Sequence, residues 1–181
     1  STSSTTPITK RLVPQAKVAI SDPSWENHRA LFEYAGFDVI NYPYYDAATH
    51  GVNFAGMIAA LESYPAGTVV VLHACCHNPT GVDLTANQWT KVVEVVKARQ
   101  LIPFLDIAYQ GFGDGIDADA TAVRQFADAE LTFLISSSFS KSFSLYGERV
   151  GALSLVAADK EESGRVLSQL KRVIRTNYSN P

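Results

Sequence analysis

The sequence predicts an α/β fold, a mostly parallel sheet with helices on both faces, and three observations carry the prediction. Short runs rich in Val, Ile and Leu alternate with segments of helical spacing from residue 17 onward. The run at 68–72, Thr-Val-Val-Val-Leu, has no polar alternation, as suits a strand buried on both faces. Polar groups capable of chemistry follow three of the runs, and open parallel sheets carry their ligands at such strand ends.

Each element has a local reason. Residues 17–21 form a short apolar strand. Residues 25–35 place Trp25, Leu31, Phe32 and Ala35 at helical spacing and stop at Gly36, a residue that accepts the left-handed backbone of a helix end. Residues 37–42 read as a strand, 54–61 as a helix and Pro65-Ala-Gly67 as a turn. After the strand at 68–72, Asn78-Pro-Thr-Gly81 turns the chain, and Thr85 caps a helix over 87–99. A strand at 102–107, a helix at 123–129 and strands at 131–136 and 149–156 follow. The last helix, 161–175, is amphipathic, with Val166, Leu167, Leu170, Val173 and Ile174 on its apolar side.

Composition narrows the function classes. The 181 residues suffice for one domain with a core. A net charge of −3 leaves no basic footprint for nucleic acid. No apolar run reaches membrane-spanning length, and the N-terminus lacks the apolar core of a signal peptide, so no membrane partner is expected. Cys75 and Cys76 are sequence neighbours, which rarely pair, and this points to a reducing, cytoplasmic setting. With His77 they match no common zinc spacing, and no metal is expected.

The run Ser136-Ser-Ser-Phe-Ser-Lys-Ser-Phe-Ser-Leu-Tyr-Gly-Glu-Arg149 is the most informative stretch. A lysine amine attacks carbonyls when its surroundings favour the neutral form. Hydroxyls such as those of Ser138 and Ser140, with the Arg149 fork, suit a phosphate. An aldehyde cofactor bearing a phosphate, pyridoxal 5'-phosphate, needs both together. Asp106 ends an apolar run, where a carboxylate is costly unless paired. It reads as a partner for a protonated ring nitrogen, or, taken alone, as a helix cap or a strand-end ion pair. Tyr109 and Asn78 can bond a phenolic ring oxygen, or serve as a packed tyrosine and a turn-former. Trp25 can stack on a flat ring or simply fill the core. His28 and His73 can each bond a buried carboxylate such as Asp106. Arg149 can instead pair with Glu148 or Asp159 at the surface. Arg175 can reach a substrate carboxylate or complement its helix C-terminus. Ser138-Phe-Ser-Lys141 also fits the Ser-x-x-Lys pattern of penicillin-recognising enzymes, but the Ser-Asp-Asn and Lys-Thr-Gly triplets that should follow are missing. Gly111-Phe-Gly-Asp-Gly115 has the wrong spacing for a dinucleotide loop.

Taken in order, these stretches resemble one family. Ser21-Asp-Pro-Ser-Trp-Glu-Asn-His28, His73-Ala-Cys-Cys-His-Asn-Pro-Thr-Gly81, Pro103-Phe-Leu-Asp-Ile-Ala-Tyr-Gln-Gly-Phe-Gly113, the Lys141 run through Gly151, and Arg175-Thr-Asn-Tyr-Ser-Asn-Pro181 are similar to class I, fold-type I aminotransferases. The nearest group is the bacterial aspartate and aromatic aminotransferases, and Phe143-Ser-Leu-Tyr-Gly-Glu-Arg149 leans to the aromatic branch. The resemblance implies a role for each position. Lys141 holds pyridoxal phosphate as a Schiff base and then moves the substrate proton. Asp106 partners the ring nitrogen, with His28 and His73 behind it. Tyr109 and Asn78 bond the ring oxygen, and Trp25 stacks on the ring. Ser138, Ser140 and Arg149 hold the phosphate, and Arg175 meets a substrate carboxylate. It further implies transfer between an aromatic or dicarboxylic amino acid and a 2-oxo acid such as 2-oxoglutarate, in a homodimer.

Against the family, residues 1–11 read as a flexible or altered leader and 12–181 as a partial large domain. The family's glycine-containing phosphate loop, its N-terminal tyrosine and its small-domain arginine have no counterpart here. An inactive cofactor-domain fragment serving only in association is therefore the alternative expectation.

Overall fold

The computed structural model describes residues 15–177, with side chains through Lys171. The expected leader at 1–11 lies outside the described residues. In chain order the elements are β1 (Lys17–Asp22), α1 (Glu26–Tyr34), β2 (Asp38–Pro43), β3 (Tyr45–Asp46), β4 (Gly51–Val52), α2 (Phe54–Ser63) and β5 (Val69–His73). Then come α3 (Ala86–Ala98), β6 (Ile102–Ile107), α4 (Thr121–Asp128), β7 (Phe133–Ser138), β8 (Gly151–Val156) and α5 (Lys160–Asn177). Six strands form one sheet in the order β2-β1-β5-β6-β7-β8. All neighbours pair in parallel except β7 and β8, which are antiparallel.

Strand side chains alternate between faces, so each central strand feeds two cores. Val70, Leu72, Leu105, Ile107, Phe133 and Ile135 pack with Met57 and Leu61 of α2, Val92 and Val96 of α3, and Phe126 of α4. Val18, Ile20, Val69, Val71, Phe104 and Leu134 pack on the other face against Phe32 of α1 and Phe37. Two covered faces explain why β5 is apolar throughout. Thr85 caps α3 as its sequence predicts. Its side chain accepts the Gln88 N–H, and Gln88 Oε1 accepts the Thr85 N–H at 2.9 Å, a reciprocal pair.

Four details depart from the sequence reading. The β3–β4 hairpin was not anticipated, because two residues per strand leave no periodicity to see; Asp46 shapes its turn by accepting from the Ala48 N–H and the Thr49 hydroxyl. β7 starts and ends two residues later than 131–136, because pairing with β8 carries the ladder through Ser138 and Gly151. β8 begins at Gly151 rather than at 149, since Arg149 holds a left-handed backbone with φ 53°. On α5, Leu170 is buried but Leu167 is exposed, so the expected apolar side is only partly covered. The side chains of Val173 and Ile174 lie outside the described residues.

Candidate active site

Parallel register sets the centre of the site. His73 pairs with Asp106, and Asp106 with Ser136, so the three project side by side from one sheet face. That face also carries Val71, Phe104 and Leu134, and α1 covers it. On α1 the buried residues are His28 and Phe32, one turn apart. Phe32 seats the helix, and His28 then meets Asp106: Nε2 lies 2.8 Å from Oδ2, with both groups buried. Ser24 Oγ lies 3.1 Å from His28 Nδ1, so both ring nitrogens are occupied.

His73 does not bond Asp106, contrary to the sequence reading. Its ring packs 4.9 Å from that of His28 and 4.5 Å from that of His77, and its Nδ1 has no hydrogen-bond partner. Sharing a register row with Asp106 brings it alongside the carboxylate without aiming a nitrogen at it. Burial pushes His73 down to about 4, helped by His28 and opposed by Asp106. Burial also pushes His77 down to about 3, with His73 and His28 adding to it.

Both imidazoles are therefore neutral in the folded chain. An unfolded histidine takes up a proton near pH 6.5, so their contribution to stability is complete above that value and is lost on acidification. The loss runs down to about 4 for His73 and about 3 for His77. By pH 5 it should reach roughly 2 kcal/mol for each ring. Denaturant midpoints at pH 7 and pH 5 check this, and equal midpoints would contradict it.

A cavity opens over this row, with a volume of about 570 Å³ including its mouth. It is lined by Trp25, His73, Asn78, Asp106, Ala108, Tyr109, Ser138, Ser140, Lys141 and Arg149. Lys141 stands in the turns after β7, with Nζ 4.6 Å from the centre of the Tyr109 ring. Ser140 is buried, and its N–H donates to Ser138 Oγ at 3.3 Å. The Phe143 N–H bonds the Phe139 carbonyl and the Ser144 N–H bonds the Lys141 carbonyl, which turns the segment back toward β8. Arg149 is exposed at the cavity wall and donates to the Tyr146 carbonyl at 3.4 Å; among the described residues it pairs with neither Glu148 nor Asp159. Trp25 stands at the N-cap position just before α1, half-buried, and meets His28 edge-on at 5.3 Å.

Nine of the eleven positions singled out in the sequence thus line this one cavity. His28 lies behind it on Asp106. Arg175 falls near the end of α5, and its side chain lies outside the described residues. Sequence reasoning missed Asp83 and Asp119, which hold the loops by accepting backbone N–H groups. Asp83 takes those of Cys76 and His77, and Asp119 those of Gly111, Gly113 and Asp114. Their signal, an acidic residue within eight positions of a turn, is too common to single them out. Asp119 also lies close to both cysteines, but burial pushes both thiols up, away from the thiolate a metal needs.

In chemical terms the cavity sets a buried carboxylate, an amine, a phenol, a carboxamide, an indole, two hydroxyls and a guanidinium around one space. A flat, phosphorylated aromatic aldehyde uses all of them, and the acid backed by His28 suits a ring nitrogen that carries a proton.

A family model for aminotransferase class I and II matches residues 2–181. The chain is 70% identical over 172 residues to an aspartate aminotransferase of Pseudomonas aeruginosa, covering 95% of this chain and 43% of that protein. It is 59% identical over 172 residues to the aromatic-amino-acid aminotransferase of Escherichia coli, again covering 95% and 43%. Among solved structures, an aromatic-amino-acid aminotransferase from Burkholderia pseudomallei, covalently bound to pyridoxal phosphate, superposes with a TM-score of 0.96 at 72% identity. That match covers 99% of this chain and 45% of the other. The chain spans less than half the length of the curated relatives it matches.

Proposed function

The chain belongs to the class I and II aminotransferases, and from that premise we propose that it is the lysine-bearing part of a pyridoxal-phosphate aminotransferase. The reaction proposed is transfer of an amino group between an aromatic or dicarboxylic amino acid and a 2-oxo acid such as 2-oxoglutarate. One observation carries the reading: Lys141 and the His28-backed Asp106 line a single cavity together with Tyr109 and Asn78.

The residues fit the cofactor. Asp106 would hold the ring nitrogen, and His28 would keep the carboxylate aimed. Tyr109 and Asn78 would donate to the ring oxygen. Trp25 would cover one ring face, and Ser138, Ser140 and Arg149 would take the phosphate. Bound there, the cofactor supplies an aldehyde that links to amines and a conjugated ring that takes up the electron pair left when a Cα proton departs.

The chain's own residues would do the rest. Lys141 Nζ would be the amine that holds the aldehyde carbon, and as a free base it would take up the substrate Cα proton and return it. The Asp106 carboxylate keeps the ring-nitrogen proton in place, which sustains the electron demand. Burial of Asp106 and His28 keeps solvent from that contact. Arg175 would meet a substrate carboxylate.

The proposal includes a homodimer in the cytoplasm. Exposed Phe112, Ile116, Phe143 and Tyr146, on the loops that also carry Tyr109 and Lys141, support association there. The adjacent, unpaired cysteines support a reducing compartment. No helix among the described residues is long and apolar enough to cross a membrane. Residues 12–181 are proposed as part of a cofactor-binding large domain. An association module without turnover is not favoured, because the matching relatives are aminotransferases.

An assay of the full-length protein that carries this chain, with pyridoxal phosphate, 2-oxoglutarate and either tyrosine or aspartate, tests the proposal. Glutamate formation dependent on added cofactor is expected. No transfer with either donor, in a full-length protein that loads cofactor, would contradict it.

A further inference from the structure

One buried group outside the residues assigned above ties two walls of the cavity together. His77 is 2% exposed, and its ring stacks on that of Tyr44 at 3.8 Å and 12°. Its Nδ1 lies 2.8 Å from Thr80 Oγ1 and its Nε2 3.0 Å from Ser21 Oγ. Thr80 Oγ1 also accepts the Val82 N–H at 3.2 Å, and Tyr42, the strand neighbour of Ser21, donates to the Val71 carbonyl at 2.7 Å. The ring is thus held at both nitrogens from two separate loops, and the burial described above keeps it neutral.

The two ends matter for the cavity. Thr80 is two residues beyond Asn78, and Ser21 is four residues before Trp25. Asn78 and Trp25 line the cavity from these separate loops. We infer that His77 is a positioning residue: through its two ring nitrogens it clasps the Asn78 turn to the end of β1 and so sets the Asn78 amide and the Trp25 indole relative to one another. The inference rests on the proposed cofactor reading, in which these two groups meet the ring oxygen and the ring face. Asp83 separately holds this segment through the N–H groups of Cys76 and His77, so the loop keeps an anchor when the ring bonds are cut.

The test is a pH titration of the visible absorbance of cofactor linked to Lys141, in the wild-type chain and in two variants. His77→Phe keeps the stacking and loses both hydrogen bonds. Thr80→Val removes one of them from outside the ring. A donor on the ring oxygen draws charge from the neighbouring linkage nitrogen, so a displaced Asn78 leaves that nitrogen holding its proton more tightly. The titration midpoint should rise by about half to one pH unit in His77→Phe, and by less in Thr80→Val. Midpoints equal to wild type in variants that load cofactor overturn the inference alone, even if the variants melt earlier. A wild-type chain with no Lys141-dependent band overturns the cofactor reading and the inference together. Should His77→Phe fail to fold, the Thr80→Val midpoint decides: a rise above wild type is expected, and a midpoint equal to wild type overturns the inference.

Discussion

Asp106→Asn is expected to lower amino transfer by roughly 10²- to 10⁴-fold while the chain stays folded. Asn has the shape of Asp and can still bond His28 Nε2, which is 2.8 Å from the carboxylate in the parent. It lacks the negative charge that would hold a proton on the cofactor ring nitrogen. Breaking a buried charge pair costs about 3–5 kcal/mol, and each ~1.4 kcal/mol in the barrier is tenfold in rate. Steady-state rates at saturating cofactor check the prediction, and circular dichroism checks the fold. A variant within tenfold of wild type would mean that Asp106 only anchors His28.

Lys141→Ala is expected to remove the covalently linked absorbance and to lower transfer by at least about 10⁴-fold. Two functions disappear at once, the amine that links to the aldehyde and the base that moves the Cα proton. Proton transfer by a positioned group alone is worth about 10²- to 10⁴-fold. Stability should change little, because Lys141 is only half-buried and stands in turns outside the sheet. An exogenous small amine should restore part of the rate, since it can take up the proton in the vacated space. A variant that keeps the linked band would place the linkage on another lysine.

Much of this could be read before any coordinates. β5 and β6 announce themselves by apolar runs that end at His73 and Asp106, because a strand covered on both faces tolerates polar groups only at its end. The cap at Thr85 was legible from Thr and Gln three apart. Other features depend on partners far along the chain. β7 continues through Ser138 because β8 supplies a partner, and serines carry no strand signal of their own. The opposite fates of His28 and His73 turn on α1 covering one sheet face. His28 is aimed from the helix into Asp106, whereas His73 stands beside that carboxylate and packs its ring against those of His28 and His77. No local pattern distinguishes the two. The clasp through His77 was equally hidden, because its partners lie 56 residues back at Ser21 and three ahead at Thr80.

The central claim is that Lys141 carries the cofactor. Borohydride reduction of the chain incubated with pyridoxal phosphate, followed by digestion and mass mapping, tests it most directly. The account predicts a single reduced adduct on the peptide that contains Lys141. An adduct spread over surface lysines such as Lys17 and Lys91, or no adduct on Lys141 at all, would contradict it.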